Sequence, residues 1–337
     1  MSLPDLPIAA NAPAPVGPDT YPRLVGDVGG TNARFAWLSR PGAALSDLAT
    51  LRAADHATLQ KAMQTYLADR PGRARWCAIG IANPVVGDLV RMTNYHWSFS
   101  ISQVQALLGL DRFLVINDFT ALALSLPALT SADLRAVGGG TALPDAPIGL
   151  IGAGTGLGVS GLLSAGPGRG QVPLNGEGGH VTLAPTNAFE TGVVAWLRQR
   201  YGHPSAERAL SGPGLVNLYQ AICELEGVPA QALSAADVSD LAQRAANAQC
   251  GAAVDVFFSF LGNVAGNLAL TLGSRGGMYI GGGIVPRFGD RIDRSSFRER
   301  FEDKGRFRAY LAEIPTWVVH ASTSPALIGA ARALDEL

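Results

Sequence analysis

Two short turns rich in glycine and threonine are the first segments of this sequence whose residue types could do chemistry. They are Gly26-Asp27-Val28-Gly29-Gly30-Thr31-Asn32 and Gly152-Ala153-Gly154-Thr155-Gly156-Leu157-Gly158. Glycine turns permit positive φ and expose backbone N–H groups that bind anions, and Thr31 and Thr155 add hydroxyl donors. Asp27 would repel phosphate unless Mg²⁺ lay between them, often through water. Together the turns predict a phosphate clamp, although each alone could be an ordinary tight turn.

A candidate proton acceptor, Asp118, lies where a predicted strand ends and a predicted helix begins. Ligands of α/β sheets bind at the carboxyl ends of strands, so Asp118 could accept the proton of a substrate hydroxyl during phosphoryl transfer. It could equally serve only as the N-cap of the helix over 120–126. With an ordinary aspartate pKa of about 3.9, it is expected to be ionised at neutral pH without special tuning.

Two further polar residues could bind a sugar. Glu177 and His180 flank Gly178-Gly179, and a carboxylate with an imidazole can accept from and donate to vicinal hydroxyls. The alternative is a histidine with a structural role. Zinc is not expected here, because the segment is rich in glycine and lacks a second His or Cys nearby. Glu207, taken alone, is typical of a solvated or arginine-paired carboxylate.

The elements that must position these residues alternate between strands and helices, which predicts an α/β fold. The predicted strands are Leu24–Val25, Ala33–Trp37, Arg75–Ala82, Phe113–Asn117, Ile148–Ile151, Val159–Leu163, Val181–Leu183 and Met278–Ile280. The predicted helices are Thr120–Leu126, Ala188–Tyr201, Gly214–Glu226, Ala235–Ala248, Ala252–Leu272 and Pro325–Leu337. Residues 24–37 and 148–163 share one layout, two strands around a Gly/Thr turn, which suggests two related domains.

Composition excludes several functional classes. The chain has 337 residues, 47% of them hydrophobic and 16% charged, with a net charge of −1. Without an excess of basic residues, binding to nucleic acid is not expected. The lysines are Lys61 and Lys304, and no Gly-Lys pair occurs, which excludes the lysine-bearing phosphate loop. Glycine, at 41 of the 337 residues, is more frequent than in an average soluble protein.

Cysteine usage and the termini suggest a cytoplasmic protein. Cys77, Cys223 and Cys250 are widely spaced and form no C-x-x-C motif, which favours a reducing compartment. Residues 1–22 are rich in proline, lack Lys and Arg, and are expected to be a disordered leader rather than a signal peptide. The uncharged stretches 146–168 and 256–274 are long enough to span a membrane, but their glycines and asparagines predict a strand–turn–strand and a buried core helix.

Seven segments, taken together and in order, resemble the bacterial ATP-dependent glucokinase family of the hexokinase/actin-like ATPase superfamily. They are residues 24–34, 92–94 with Trp97, 116–121, 152–158, 176–180, 207–208 with 210–219, and 281–288. The resemblance extends from about Leu24 to near the C-terminus. It implies an α/β fold of two ribonuclease-H-like (actin-like ATPase) domains flanking a cleft that closes on sugar, and a homodimer. The small domain would be 23–130 with about 321–337, and the large domain 131–320.

The resemblance also implies individual roles, with Asp118 as the catalytic base. Hexose would be bound, besides Asp118, by Asn94, Asn117, Glu177, His180 and Glu207. ATP would be bound by Gly26, Asp27, Gly29, Gly30, Thr31, Asn32, Gly154, Thr155 and Gly156, with Gly281, Gly282 and Gly283 in the adenosine pocket. Asp27 would hold Mg²⁺, mostly through water. Two departures from the family pattern, the proline-rich leader and Asn83 before Pro84, are not expected to touch this chemistry.

The function implied is a cytoplasmic glucokinase of glycolysis and carbohydrate metabolism. It would transfer the γ-phosphoryl group of ATP to the 6-hydroxyl of glucose, giving glucose 6-phosphate and ADP, without a nucleic-acid or membrane partner. Two other functions remain open on the residues alone. One is an actin- or chaperone-like ATPase that phosphorylates nothing, which the hexose-type residues disfavour; the other is a non-catalytic sugar sensor, which Asp27 and Asp118 disfavour. The donor also stays open, because ADP and polyphosphate present the same phosphate oxygens to these turns.

Overall fold

The computed structural model describes residues 17–93, 95–166, 170–321 and 323–337. The chain divides into two compact units. The first comprises the residues up to Ala121 together with Ala326–Leu337, and the second comprises Leu122–Pro325. Both changes of unit fall inside helices.

The described strands and helices confirm the mixed α/β prediction. The strands are β1 Arg23–Val28, β2 Asn32–Leu38, β3 Ser46–Arg52, β4 Trp76–Ile81, β5 Leu89–Arg91, β6 Ser98–Ser100, β7 Arg112–Asn117, β8 Leu134–Val137, β9 Ile148–Ala153, β10 Leu157–Ser164, β11 Gln171–Pro173, β12 Met278–Gly281 and β13 Thr316–Val319. The α-helices are α1 Leu59–Leu67, α2 Ile101–Leu108, α3 Asp118–Ser125, α4 Ala188–Tyr201, α5 Gly212–Leu225, α6 Ala235–Gln243, α7 Ala248–Leu272, α8 Arg291–Arg294, α9 Phe297–Glu302, α10 Arg308–Ala312 and α11 Pro325–Glu336.

Each unit contains one main sheet, and the two sheets share a plan. The first has the strand order β3-β2-β1-β4-β7, and the second has β11-β10-β9-β12-β13-β8. In both, a hairpin of antiparallel strands is followed by two strands parallel to its first member, β1-β4-β7 in one and β9-β12-β13 in the other. This repeated order confirms the internal repeat predicted from residues 24–37 and 148–163.

The first sheet is covered on both faces. On one side it packs with α1 and α2 around Leu24, Phe35 and Met63. On the other side α11 packs against Val25, and α11 also approaches α3 closely. A Cβ atom at Gly329 would lie 1.6 Å from the carbonyl oxygen of Ala121, so only glycine allows this approach. The contact fixes the first turns of α3, the helix that begins with Asp118.

Helix α7 forms the centre of the second unit. It is long and apolar enough to cross a membrane by length and composition, and 72% of its most apolar window is buried within the protein. Its two buried polar residues have partners: Ser259 donates to Glu190 at 2.6 Å, and Asn263 donates to the Ala184 carbonyl at 2.9 Å. Burial with satisfied polar groups is what a core helix requires. The prediction of a buried core helix over 256–274 is thus supported, with α7 ending at Leu272.

Three predictions about local structure are wrong. Residues 181–183 do not form a ladder strand; they follow the 3-10 helix Gly178–His180 and make an isolated bridge from Thr182 to Ser205. Helix α6 ends at Gln243 rather than Ala248. The disordered leader does not extend to residue 22, because Pro18–Thr20 form a 3-10 helix whose Thr20 is buried. Residues 1–16 of that predicted leader lie outside the described residues.

Candidate functional site

One set of candidate residues lies at an edge of the first sheet. Strands β1, β4 and β7 are parallel, and their last residues are in register as Val28, Ile81 and Asn117. Asp27 therefore lies at the same edge as Asp118, the residue after β7. The carboxyl ends of parallel strands are where α/β sheets bind ligands. Asp27, predicted to bind Mg²⁺ beside the nucleotide, and Asp118, predicted to accept the hydroxyl proton, therefore lie at the same sheet edge of the first unit.

The turn between β1 and β2 is shorter than the sequence suggested. The Gly29 N–H donates to the Asn32 carbonyl at 2.9 Å, so the loop itself spans only residues 29–31. Its tip is exposed at Thr31, which leaves the hydroxyl and neighbouring N–H groups accessible. Gly26 instead lies inside β1, where a Cβ atom would approach Ile79 to 2.7 Å. Gly26 thus packs within the strand rather than in the loop, and its predicted part in nucleotide binding stays a prediction.

The glycines of the two turns do not adopt the positive φ that the sequence predicts for them. Neither Gly29 nor Gly30 lies in the left-handed region, and the same holds for Gly154 and Gly156. Of the predicted site glycines, only Gly282 has a positive φ, at 79°. What the other glycines provide is the absence of a side chain, which permits close approach of another group to the backbone.

Asp27 is paired with a neighbouring arginine. Its Oδ2 accepts from Arg34 at 3.0 Å across the β1–β2 ladder. The Asp27 side chain is 17% exposed and that of Arg34 is 45% exposed, so the pair borders solvent. A partly exposed ion pair contributes little to stability, which leaves the carboxylate available for other ligands at small cost.

The capping role weighed for Asp118 belongs mainly to Asn117. Asn117 Oδ1 accepts from the N–H groups of Phe119, at 2.9 Å, and Thr120, at 3.2 Å, which is the pattern of a helix N-cap. Asp118 is the first residue of α3, and its Oδ1 accepts from the N–H of Phe119, at 2.9 Å. Because Asn117 caps the helix, the Asp118 carboxylate is not needed for that purpose.

The environment of Asp118 changes its protonation. The pKa of Asp118 is raised to about 6, chiefly by burial and also by the negative charge of Asp27, against the lowering effect of the hydrogen bond from Phe119. The expectation of an ordinary aspartate pKa was therefore wrong. A carboxylate with a pKa near 6 is ionised at neutral pH and is a stronger base than an exposed aspartate, which suits proton abstraction.

Asn83 contacts a site residue, contrary to expectation. Its carbonyl oxygen lies 3.5 Å from Asn117 Nδ2, and its side-chain oxygen accepts from the Thr93 N–H at 2.9 Å. This departure from the family pattern therefore holds Thr93, the residue before Asn94, next to the end of β7. The predicted sugar ligand Asn94 itself lies outside the described residues.

Another set of candidate residues lies at the equivalent edge of the second sheet. The Gly154 N–H donates to the Gly156 carbonyl at 2.8 Å, closing the turn between β9 and β10. Next to it, β12 runs into Gly281–Gly283, with Gly152 in register with Gly281. A Cβ atom at Gly152 would lie 2.6 Å from the Gly281 backbone. The second and third glycine segments are thus in direct backbone contact.

A cavity of about 490 Å³ opens beside these two turns, entirely within the second unit. Its size and its largely apolar, small side chains suit a flat heterocycle. It is lined by Gly154, Thr155, Gly212, Pro213, Leu215, Val216, Ala235, Ala236, Ser239, Gly283, Ile284 and Arg287. Sequence reasoning found the glycines here but missed the contribution of α5 and α6, because nothing in the sequence indicates which face of a helix lines a cavity.

The chain as a whole matches a known family. The family model described as Glucokinase matches residues 24–337. A curated glucokinase from Aromatoleum aromaticum is 56% identical over 319 residues, which cover 94% of this chain and 96% of the relative. The chain belongs to the glucokinase family. As a member of this family it is an ATP-dependent sugar kinase.

Solved structures of glucokinases share the fold. The crystal structure of a glucokinase from an Antarctic psychrotroph is 35% identical, with a TM-score of 0.85, and the match covers 94% of this chain and 99% of that one. A ROK family glucokinase from Streptomyces griseus, solved with glucose and AMPPNP, has a TM-score of 0.61 at 17% identity, covering 93% of this chain and 99% of that one. The latter likeness concerns the fold alone.

Three of the residues that the glucokinase resemblance assigns to sugar, Glu177, His180 and Glu207, lie in segments next to the start of β10. Glu177 precedes the 3-10 helix Gly178–His180, and both Glu177 and His180 are exposed. Gly179 packs so closely that a Cβ atom would lie 2.1 Å from the Leu157 carbonyl. The segment therefore lies directly against the first residue of β10, next to the second phosphate turn.

Glu207 is half-buried, and among the described residues no arginine forms an ion pair with it. Its Oε2 accepts from the Leu157 N–H at 2.9 Å, directly after the turn Gly154–Gly156. The predicted sugar residues Glu177, His180 and Glu207 thus lie in segments that contact Leu157, the first residue of β10. The predicted phosphate turn Gly154–Gly156 directly precedes the same residue. No pattern around Glu207 in the sequence indicated this contact, because it joins residues 50 positions apart.

Proposed function

We propose that this chain transfers the γ-phosphoryl group of ATP to the 6-hydroxyl of glucose. The single observation that carries the residue assignment is the state of Asp118, a partly buried carboxylate at a strand end that is relieved of helix capping by Asn117. Phosphoryl transfer needs little covalent chemistry beyond positioning, charge stabilisation and a group that takes the hydroxyl proton. Asp118 supplies that group.

Proton removal is the task of Asp118. As the 6-hydroxyl oxygen bonds to the γ-phosphorus and the bond to the ADP oxygen breaks, the hydroxyl proton passes to the Asp118 carboxylate. Asn117 keeps its Oδ1 in the helix cap and presents its Nδ2 as a donor to a sugar hydroxyl. Glu177, His180 and Glu207 bind further hydroxyls. A wrong epimer would leave some of these groups unpaired, which gives hexose specificity.

The phosphates are held without lysine. The N–H groups of residues 29–31 and 154–156, with the hydroxyls of Thr31 and Thr155, donate to phosphate oxygens, and the cavity beside Gly281–Gly283 accepts adenosine. The donor set fits Mg²⁺: Asp27 offers hard carboxylate oxygen, and Mg²⁺ in phosphate sites is bound by one or two carboxylates together with water and phosphate. When bound, Mg²⁺ neutralises charge on the phosphates.

We further propose the remaining finer features of the resemblance. These are two ribonuclease-H-like domains flanking a cleft that closes on sugar, a homodimer, and a cytoplasmic role in glycolysis. The repeated strand order of the two sheets supports the first of these. The near-neutral charge fits a small uncharged acceptor rather than a polymer of phosphates.

A coupled assay tests the proposed function. With Mg·ATP as donor, we expect rapid ADP formation with glucose and much slower formation with mannose, fructose or N-acetylglucosamine. The 6-phosphate product is identified by its oxidation with glucose-6-phosphate dehydrogenase. Replacing ATP with ADP or polyphosphate tests the donor. Phosphate release that does not depend on sugar would instead indicate an ATPase, and sugar binding without turnover would indicate a sensor.

The raised pKa of Asp118 predicts the acid limb of the rate profile. Only the ionised carboxylate can accept a proton, so activity is present above the pKa of Asp118 and is lost as the pH falls through it. Because burial raises that pKa to about 6, kcat/KM for glucose should fall about tenfold per pH unit below pH 6. A ¹³C NMR titration of the ligand-free protein, assigned with Asp118→Asn, should give the same midpoint. A midpoint near 4 would contradict the burial argument.

A further inference from the structure

The two carboxylate oxygens of Glu207 have different surroundings. Its Oε2 accepts from the N–H of Leu157, the buried residue that ends the second phosphate turn. Among the residues that the structure describes, none donates a hydrogen bond to its Oε1. One oxygen of the carboxylate is therefore fixed on the turn, while the other can accept from a ligand. A charge-assisted hydrogen bond of this kind is among the stronger ones in proteins.

The close approach of Glu207 depends on a glycine in the turn. A Cβ atom at Gly156 would lie 2.5 Å from Glu207 Oε2, a distance that no side chain could share with the carboxylate. Gly156 does not have a left-handed φ, so the contact of a Cβ atom with the Glu207 carboxylate is the structural consequence that a larger residue would have here. The backbone of the turn and the Glu207 carboxylate are therefore in close contact.

The segment that carries Glu207 is itself anchored to the turn. The Gly212 N–H donates to the Gly154 carbonyl at 2.8 Å, and Ser211 Oγ donates to the Glu207 carbonyl at 2.8 Å. The two ends of the turn, Gly154 and Leu157, are therefore both held by residues 207–212. A displacement of the Glu207 side chain would be transmitted to the turn, because the backbone around it leaves little freedom.

We propose that Glu207 is a positioning residue for the nucleotide: it holds the second phosphate turn in its binding conformation and couples occupancy of the sugar site to nucleotide affinity. The sugar-linked part rests on the proposed function. A sugar hydroxyl donating to Oε1 would restrict the carboxylate and so the turn, which lowers the cost of ordering the turn around phosphate. By reciprocity, bound nucleotide would raise sugar affinity by the same factor.

Calorimetric titration with Mg²⁺ and AMPPNP, a non-hydrolysable ATP analogue, tests the proposal with and without saturating glucose. For Glu207→Ala, we expect sugar-free AMPPNP affinity to fall about tenfold. We also expect the glucose-dependent gain in AMPPNP affinity, present in the wild type, to be lost. Glu207→Gln should bind glucose less tightly but keep near-normal sugar-free AMPPNP affinity, because its amide oxygen can still accept from Leu157. Glu299→Ala, at an exposed glutamate of α9, is the matched control and should bind as the wild type does.

Two further measurements keep the outcome decisive. The amide of Leu157 should exchange hydrogen faster in Glu207→Ala than in Glu207→Gln, which reports the turn directly. If Glu207→Ala does not fold, Gly156→Ala displaces the carboxylate instead and should show the same sugar-free loss. Unchanged sugar-free AMPPNP affinity in these variants would overturn the proposal. If the wild type did not bind glucose, the proposed function would fail, but the sugar-free titration would still decide whether Glu207 positions the turn.

Discussion

Asp118→Asn is expected to lower kcat by roughly 10²–10⁴-fold while changing glucose affinity far less, because the amide keeps the shape of the carboxylate but cannot accept the hydroxyl proton. The Asn side chain can still accept from the Phe119 N–H, so the start of α3 should keep its geometry. The measurement is steady-state kinetics with Mg·ATP, together with glucose binding by calorimetry. Turnover close to that of the wild type would remove Asp118 from the role of base.

The same variant should be at least as stable as the wild type. A carboxyl group whose folded pKa is raised to about 6 destabilises the fold at a pH above that value, and the penalty is relieved as the pH falls. Asp118→Asn should therefore raise the free energy of unfolding of the ligand-free protein at pH 8, on the order of 1–3 kcal/mol, and less at pH 5. Urea unfolding at both pH values checks this. A loss of stability at pH 8 would show that the variant's inactivity is not purely chemical.

The fold could be predicted largely because its elements carry local signals. Apolar runs that end in Gly/Thr turns indicated both hairpins, and the periodic stretch over 188–201 matched α4 residue for residue. The failures have a common physical cause. Residues 181–183 have a strand-like composition, but they follow the Gly178-Gly179 segment packed against β10 and make only the isolated bridge from Thr182 to Ser205 among the described residues. Tertiary packing, which the local sequence does not encode, decided the outcome there.

The site was predicted by residue type more successfully than by role. Asp27, Asn117 and Asp118 do meet at one sheet edge, as strand-end residues should. The pKa of Asp118 could not be predicted, because burial depends on the whole fold around α3. The partner of Glu207 could not be predicted for a similar reason. It is a backbone N–H 50 positions away in the chain, and every residue type except proline carries such a group.

A second large effect is expected for Asp27→Asn. Removing this carboxylate should lower kcat/KM for Mg·ATP by on the order of 10²-fold and raise the Mg²⁺ concentration that gives half-maximal rate, since preorganised charge at the transferring group is lost. Asp47→Asn is the matched control. Asp47 is also an arginine-paired aspartate of the first unit, at 2.6 Å from Arg70, and asparagine tolerates its φ of 52°.

Asp27→Asn has a second consequence that a general loss of structure would not produce. The charge of Asp27 raises the pKa of Asp118, so its removal should lower that pKa and shift the acid limb of the kcat/KM profile towards lower pH. Asp47→Asn should leave the limb near pH 6. The variant would then be slower at neutral pH yet retain a larger fraction of its own maximal rate at pH 5. An acid limb that stays in place would show that Asp27 and Asp118 act independently, and the two carboxylates would no longer form one electrostatic unit.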